Sequence, residues 1–483
     1  MNEKEYNRAK IWQIALFALN MMSTNLYLFL MMYVSYYANG LVGMSVVFVS
    51  TLATGMRIFD GFTDPIIGWL IDHMKGKYGK FRPFLVVGNA ILAISMILIY
   101  KTTHLVPEAI RIPYFILAYA LYIIGYTVQG TVTTSAQTIL TNDPKQRPLY
   151  GFFTGFFMLF LSSGVNYLIS NHLVPKYGGM TYDFFSELII WVILIAFVLM
   201  VCAFAAIAPK DKPEYYENLE KNKTEKVGFK VYWEILKKNR ALQTLIISEC
   251  TDKLATNIAG NSIVGVMLFG IIIGNYEVMG RLSVITMIPN IILLVFGILN
   301  ARQAGQKRTY VLSTWLCIIL QAALGLLFIM GDATKIDLKS FGFMNVAFVV
   351  LFIALNGIRN IGSNMMIPMM ADCTDHEIYR SGHFVPGLVA TIYSFVDKLI
   401  SSFGTTIVGL LVAVIGYKNT VPQIGEEVTT SIFAVTMVLY CGMPILGWVI
   451  SIIAMRFYPL DGEKMKEVED YIAEIKEQNA SAE

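Results

Sequence analysis

The residues best able to do chemistry in this sequence stand where ionisable side chains are least expected. Inside an apolar stretch the chain reads Arg57-Ile-Phe-Asp60-Gly-Phe-Thr63-Asp64. On a helix, Asp60 and Asp64 are four apart and share a face; Arg57, seven before Asp64, falls on the same side. Adjacent carboxylates repel when both are ionised, so a proton, a metal cation or Arg57 must neutralise them. With the Thr63 hydroxyl and backbone carbonyls, they form a hard oxygen set suited to Na⁺ as well as to H⁺. The plainer alternative is a buried ion pair with Arg57 that only holds helices together, for which one aspartate would suffice.

Two more clusters are Glu249-Cys-Thr-Asp252-Lys253 and Ser394-Phe-Val-Asp397-Lys398. Neighbours on a helix point about 100° apart, so these carboxylates and lysines are expected to pair across helices or to face a water-filled cavity. Lys398 is assigned to a cavity. Arg359 sits among Asn356, Asn360, Ser363 and Asn364, a polar stripe ill suited to lipid. Arg57, Asp252, Lys253, Arg359 and Asp397 are therefore candidate ion-pair or gating residues. Thr24 and Asn25, then Tyr126, Thr127, Gln129 and Thr134, are polar positions in two further apolar runs. Each hydroxyl alone is weak evidence, because it can simply bond a carbonyl one turn back. Their density is the signal, and Tyr126 could stack on a ligand ring.

The elements that must position these groups follow from composition. The 483 residues are 56% hydrophobic and 15% charged, with a mean hydropathy of +0.59. Soluble domains are nearer 45–50% apolar and about 25% charged. That balance excludes a disordered chain, a disulfide-rich scaffold and a nucleic-acid binder. A membrane helix needs about 20 apolar residues, and such runs are expected near 11–37, 45–71, 84–103, 112–140, 150–172, 186–208, 242–272, 278–300, 310–330, 343–371, 386–416 and 431–456. The first is read as a retained helix, not a signal peptide. With both termini cytoplasmic, 26 Lys/Arg fall on the cytoplasmic side and 6 outside, five more lying within spans; the positive-inside rule favours that orientation in a cell membrane.

The expected organisation is a six-helix half at 1–208, a polar cytoplasmic segment at 209–241 holding nine Lys/Arg, a second half at 242–456 and a charged cytoplasmic tail at 457–483. A weak repeat supports it: the Gly/basic turn from Gly68 to Arg82 has a counterpart from Gly297 to Arg308. The fold class is thus all-α, twelve transmembrane helices in two parallel halves, the plan of the major facilitator transporters. No enzyme constellation appears. His73, His104, His172, His376 and His383 show no metal spacing, the five cysteines are scattered, and no phosphate-cradling loop is present. No cofactor is expected beyond a coupling cation, Na⁺ or H⁺. The partners are a small solute and membrane lipids, with no nucleic acid.

Two stretches resemble a family. The first combines Asp60-x-x-x-Asp64-Pro65-x-x-Gly68 with Gly79-Lys80-Phe81-Arg82-Pro83. The second runs from Ala371 to Gly382 and continues through Gly387 to Ser394-Phe-Val-Asp397-Lys398. Together they resemble the signatures of the glycoside–pentoside–hexuronide:cation symporters, within the major facilitator superfamily. The resemblance implies a sugar, glycoside or hexuronide carried inward with Na⁺ or H⁺. It implies that Asp60 and Asp64 bind the cation, helped by Thr63 and Thr127, and that Lys398, Ser394 and Tyr126 lie near the substrate.

The departures count as well. Family members that take melibiose use acids at positions matching about Thr24 and Gly130, and tryptophans matching about Thr134 and Ser363. A different glycoside is therefore expected, larger or anionic, with Lys398 and Arg359 available to a carboxylate. Two alternatives stand: a cation-coupled carrier of a non-sugar or lipid-like solute, and a non-transporting membrane receptor or scaffold.

Overall fold

The computed structural model describes residues 8–73, 78–141, 146–212, 236–381, 386–461, 463–468 and 470–471. Expectations placed on 213–235 of the central segment, on Gly382 and His383, and on 472–483 of the tail lie outside the described residues. So do the side chains of Pro65, Asp72, His73 and Ser394.

Apolar runs without water must pair every backbone N–H and C=O internally, which selects helices. In chain order the long helices are α1 (Ile11–Met31), α2 (Val46–His73), α3 (Arg82–Ile97), α4 (Glu108–Ser135), α5 (Arg147–Leu168), α6 (Tyr182–Ile207), α7 (Arg240–Ala259), α8 (Met287–Ala304), α9 (Gln306–Met330), α10 (Phe343–Ser381), α11 (Pro386–Val414) and α12 (Met443–Arg456). Among the described residues, nine spans are long and apolar enough to cross a membrane by themselves. Two more are bent pairs. Arg240–Ala259 meets Ser262–Ile272 at 49°, and Glu277–Ile285 meets Met287–Ala301 at 43°. The first bend has a local cause: after Gly260, Asn261 accepts the Ile263 N–H at 2.9 Å and caps a new helix. The remaining long helix is α2, whose 28 residues suffice for a span but carry Arg57, Asp60 and Asp64.

One helix outruns its expected end. The tenth apolar run stops near 371, yet α10 continues to Ser381. The extension is held by Glu377, which is 1% exposed and takes Arg380 at 2.6 Å and the Asn239 amide at 2.9 Å.

The chain forms two compact units. The first comprises Met1–Thr224 with Met279–Val284 and Val412–Val421; the second comprises Glu225–Val278, Ile285–Leu411 and Pro422–Glu483. In the first, α1 packs on α6, α3 on α4 and on α6, and α2 on α4. In the second, α7 packs on α12, α9 on α10 and on α12, and α8 on α10. These four pairings of the first unit recur six helices later, so the structural repeat is clearer than the Gly/basic turns that hinted at it.

Each unit has its own core. Ile14, Phe17, Leu85, Val132 and Ala203 centre the first, and Leu242, Leu245, Tyr310, Met369 and Met455 the second. Small residues set helix spacing, as in membrane bundles generally. A Cβ at Gly88 would lie 2.8 Å from the Val128 side chain and 2.9 Å from Gln129 Nε2, so glycine lets α3 and α4 touch and seats Gln129.

Candidate ion and solute site

Asp60 is fully buried in the middle of α2. Its Oδ1 receives the Thr127 hydroxyl of α4 at 2.7 Å. That hydroxyl also lies 3.1 Å from Thr63 Oγ1, one turn along α2 from Asp60. Arg57 Nη1 stands 3.9 Å from Asp60 Oδ2, and the Arg57 side chain is 38% exposed. Its guanidinium also lies over the Tyr126 ring, 6.0 Å from the centroid. Asp64, one turn beyond Asp60, is half-buried. The structure therefore gathers Arg57, Asp60, Thr63, Tyr126 and Thr127 into one cluster on the α2–α4 contact. Its oxygens are of the hard type that binds small cations or protons. The Arg57–Asp60 pair lies within one helix and does not itself tie two helices together.

The other polar positions of the first unit divide into braces and bystanders. Gln129 donates to Leu85 O at 2.6 Å and accepts from Asn20 at 3.0 Å, while Asn20 also donates to Thr133 at 2.8 Å. Gln129 thus ties α4 to α3 and α1, a structural post more than a ligand contact. Thr24 donates to Asn20 O at 2.9 Å, Asn25 to Met21 O at 2.8 Å and Thr134 to Gly130 O at 3.1 Å. These are the back-bonds to a carbonyl one turn earlier that make single hydroxyls weak evidence. Asn20 carried the brace, and sequence reading passed over it because its partners lie more than a hundred residues away.

In the second unit the lysine does pair across helices. Lys253 Nζ lies 2.9 Å from Asp397 Oδ2 on α11 and 3.1 Å from Glu249 Oε1 on its own helix. Glu249 was absent from the candidate gating set, although its spacing of four from Lys253 was a readable signal. Asp252 turns elsewhere and accepts the Trp448 indole of α12 at 2.5 Å. Arg359 donates to Asn356 at 3.0 Å and lines a small cleft with Gln321, Tyr440, Trp448 and Thr256. Ser363 is exposed, and Lys398 is half-buried beside Asp397 in sequence.

The two signature stretches do structural work. Gly79 has φ +89°, and a Cβ there would stand 2.4 Å from Asp211 O. That turn aims the Lys80, Phe81 and Arg82 N–H groups at the buried Asp211 carboxylate, at 2.8, 2.9 and 2.8 Å. Arg82 returns a bond to Asp211 O at 2.9 Å. A carboxylate here satisfies orphan donors at the start of α3 and complements its dipole. In the second signature Glu377 fixes Asn239, which caps α7 through the Leu242 N–H at 3.0 Å.

Comparison with known proteins agrees with this architecture. The family described as MFS/sugar transport protein matches residues 13–462. The glucuronide carrier protein homolog of Escherichia coli (strain K12) is 24% identical over 451 residues, covering 90% of this chain and 89% of that protein. The inner membrane symporter YicJ of the same organism is 24% identical over 453 residues, covering 92% and 91%. The solved structure of the xylose transporter XylE from E. coli aligns with a TM-score of 0.55 at 12% identity, covering 95% of this chain and 98% of that one. That last likeness speaks to fold alone. A helical chain with this repeat, matched by one family description along nearly its whole length, belongs to the MFS/sugar transport protein family.

Proposed function

We propose that this protein is a symporter that carries a sugar or glycoside across the cell membrane, driven by Na⁺ or H⁺ held at Asp60. One observation carries the reading: Asp60 is fully buried, takes a hydroxyl from Thr127 at 2.7 Å and keeps Arg57 at 3.9 Å. Ionisable groups at such depth are costly, about 2.5–3.5 kcal/mol at a helix centre, and mark functional sites. Asp64, Thr63 and Thr127 complete the cation set. Binding of the ion neutralises the carboxylates, and substrate binding follows as a reciprocal coupling free energy. Alternating access of the two halves then moves both ligands.

We favour an anionic glycoside as cargo. Arg359 lines a small cleft with Asn356, Gln321 and Tyr440, and its guanidinium is the group suited to a carboxylate there. The name of the glucuronide carrier relative points the same way. Lys398 is proposed as a second cationic contact. Both termini and the 209–241 segment are assigned to the cytoplasmic side on the charge asymmetry of the loops.

The test is uptake of labelled glycosides and hexuronides into vesicles under an imposed Na⁺ or H⁺ gradient. Asp60→Asn is expected to lower gradient-driven accumulation about 5- to 150-fold, the usual range of coupling free energies, while substrate exchange persists. Equal loss of accumulation and exchange in a folded variant would remove the coupling role. Accumulation of an amphiphile but of no sugar would shift the cargo to a non-sugar solute.

A further inference from the structure

The second unit holds a charge imbalance that the role proposed for Asp60 does not use, with its two carboxylates 6% and 14% exposed and its lysine 44% exposed. Lys253 Nζ faces two carboxylates at once, Glu249 Oε1 at 3.1 Å and Asp397 Oδ2 at 2.9 Å. With all three ionised, one negative charge is in excess. Glu249 is 4% exposed, and its second oxygen, Oε2, makes no hydrogen bond; neither does Asp397 Oδ1. Glu249 stands nine residues into α7, about 13 Å along the axis at 1.5 Å per residue, so the cluster lies well inside an apolar span. An uncompensated ion there costs several kcal/mol.

The neighbouring groups do not remove the excess. On α7, Asp252 adds a carboxylate and is engaged by Trp448 of α12. Cys250 of α7 and Tyr310 of α9 lie close enough to interact with Glu249, and the Tyr393 hydroxyl of α11 hydrogen-bonds it, but all three are neutral groups that leave the charge count unchanged. Tyr310 is in any case bonded to Ser248 at 3.0 Å and Ser451 at 2.7 Å. Arg359 of α10 acts on Asp252 and holds Asn356. Lys398 follows Asp397 on α11 and is not among the charges that act on Glu249, which are those of Lys253, Asp252 and Asp397.

We infer that Glu249 and Asp397 hold one proton between them, with Lys253 as fixed counter-charge, forming a proton site separate from Asp60. Two carboxylates close together favour sharing a proton over double ionisation. A hard metal ion is a poor alternative, since it needs several oxygens at once and would sit beside an ammonium. Among the described residues, no group of three or more His, Cys, Asp or Glu is placed to hold a metal.

Infrared spectroscopy of the purified full-length protein in lipid vesicles tests this, reading the carbonyl stretch of protonated carboxyls at neutral pH. Glu249→Gln and Asp397→Asn should each remove the intensity of one protonated carboxyl, because either leaves one carboxylate facing one ammonium. Lys253→Gln should raise the cluster's contribution to about twice the native value, since two carboxyls then need protons. Asp60→Asn should leave the Glu249-dependent band in place, so failure of the coupling role at Asp60 is read separately. A spectrum unchanged by both carboxyl variants, loss in only one of them, or disappearance of the band when Na⁺ replaces K⁺ at fixed pH would each overturn the inference. If Glu249→Gln fails to fold, Asp397→Asn and Lys253→Gln keep opposite expected signs.

Discussion

The α2–α4 contact of the first unit and the α8–α10 contact of the second occupy equivalent places in the repeat but hold different chemistry. On α2 and α4, a buried aspartate meets two threonines and an arginine. On α8 and α10, glycines bring the helices together. A Cβ at Gly297 would stand 2.5 Å from Ile361, and one at Gly357 2.2 Å from Leu293. The first helices of the units differ too: α1 carries Ser23, Thr24 and Asn25, whereas α7 carries Glu249, Asp252 and Lys253. The helix pairings repeat and the charges do not. Packing alone therefore does not demand these ions, and their retention in an apolar medium points to function.

Substitutions can break this comparison at several points. Lys253→Met has the largest expected effect. It takes the counter-charge from the one carboxylate that Glu249 and Asp397 leave ionised; a fully buried pair broken this way costs about 3–5 kcal/mol, and the 44% exposure of the Lys253 side chain brings the expected loss to about 3 kcal/mol. Unfolding of the detergent-solubilised protein would report it, and adding Glu249→Gln with Asp397→Asn should restore most of the loss. A single variant as stable as the native protein would mean that the cluster carries little charge.

Thr127→Val comes next. A hydrogen bond to a charged group is worth about 1.5–3 kcal/mol, so the ion concentration for half-maximal uptake should shift roughly ten- to hundredfold: downward for H⁺, because the lost bond held Asp60 ionised, and upward for Na⁺, which loses an oxygen ligand. Thr127→Ser, which keeps the hydroxyl, should stay near native. The counterpart face should respond differently: Gly357→Ala overpacks against Leu293 and should cost about 1–3 kcal/mol of stability while leaving ion dependence unchanged. A shift in ion dependence there would mean that both faces take part in coupling.

The smallest effects should be alike in the two units. Ser23 bridges Asn89 at 3.0 Å and Ala196 O at 2.8 Å, joining α1, α3 and α6. Ser248, Tyr310 and Ser451 join the equivalent trio α7, α9 and α12, at 2.6–3.0 Å. Ser23→Ala and Ser451→Ala should each cost about 1 kcal/mol, measured by unfolding, with transport retained. A transport defect in only one would mark that brace as part of the moving machinery.

Much of this was readable from the chain alone, for a physical reason. An apolar run of membrane length has one stable form, so the helices and their order follow from hydropathy. A charge inside such a run is conspicuous, which exposed Asp60, Lys253, Arg359 and Asp397 before any fold was known. Helical spacing also put Asp64 and Arg57 on the face of Asp60, with the Thr63 hydroxyl as an added oxygen.

What tertiary structure decided is which distant groups meet. Asp60 finds Thr127 across 67 residues, Lys253 finds Asp397 across 144, and Asp252 finds Trp448 across 196. Asp211 closes on Lys80 from 131 residues away. Periodicity fixes the face a residue occupies on its own helix but not the helix that covers that face. The choice of partner depends on packing, small-residue contacts and turns such as Gly79, which act only once the helices are assembled.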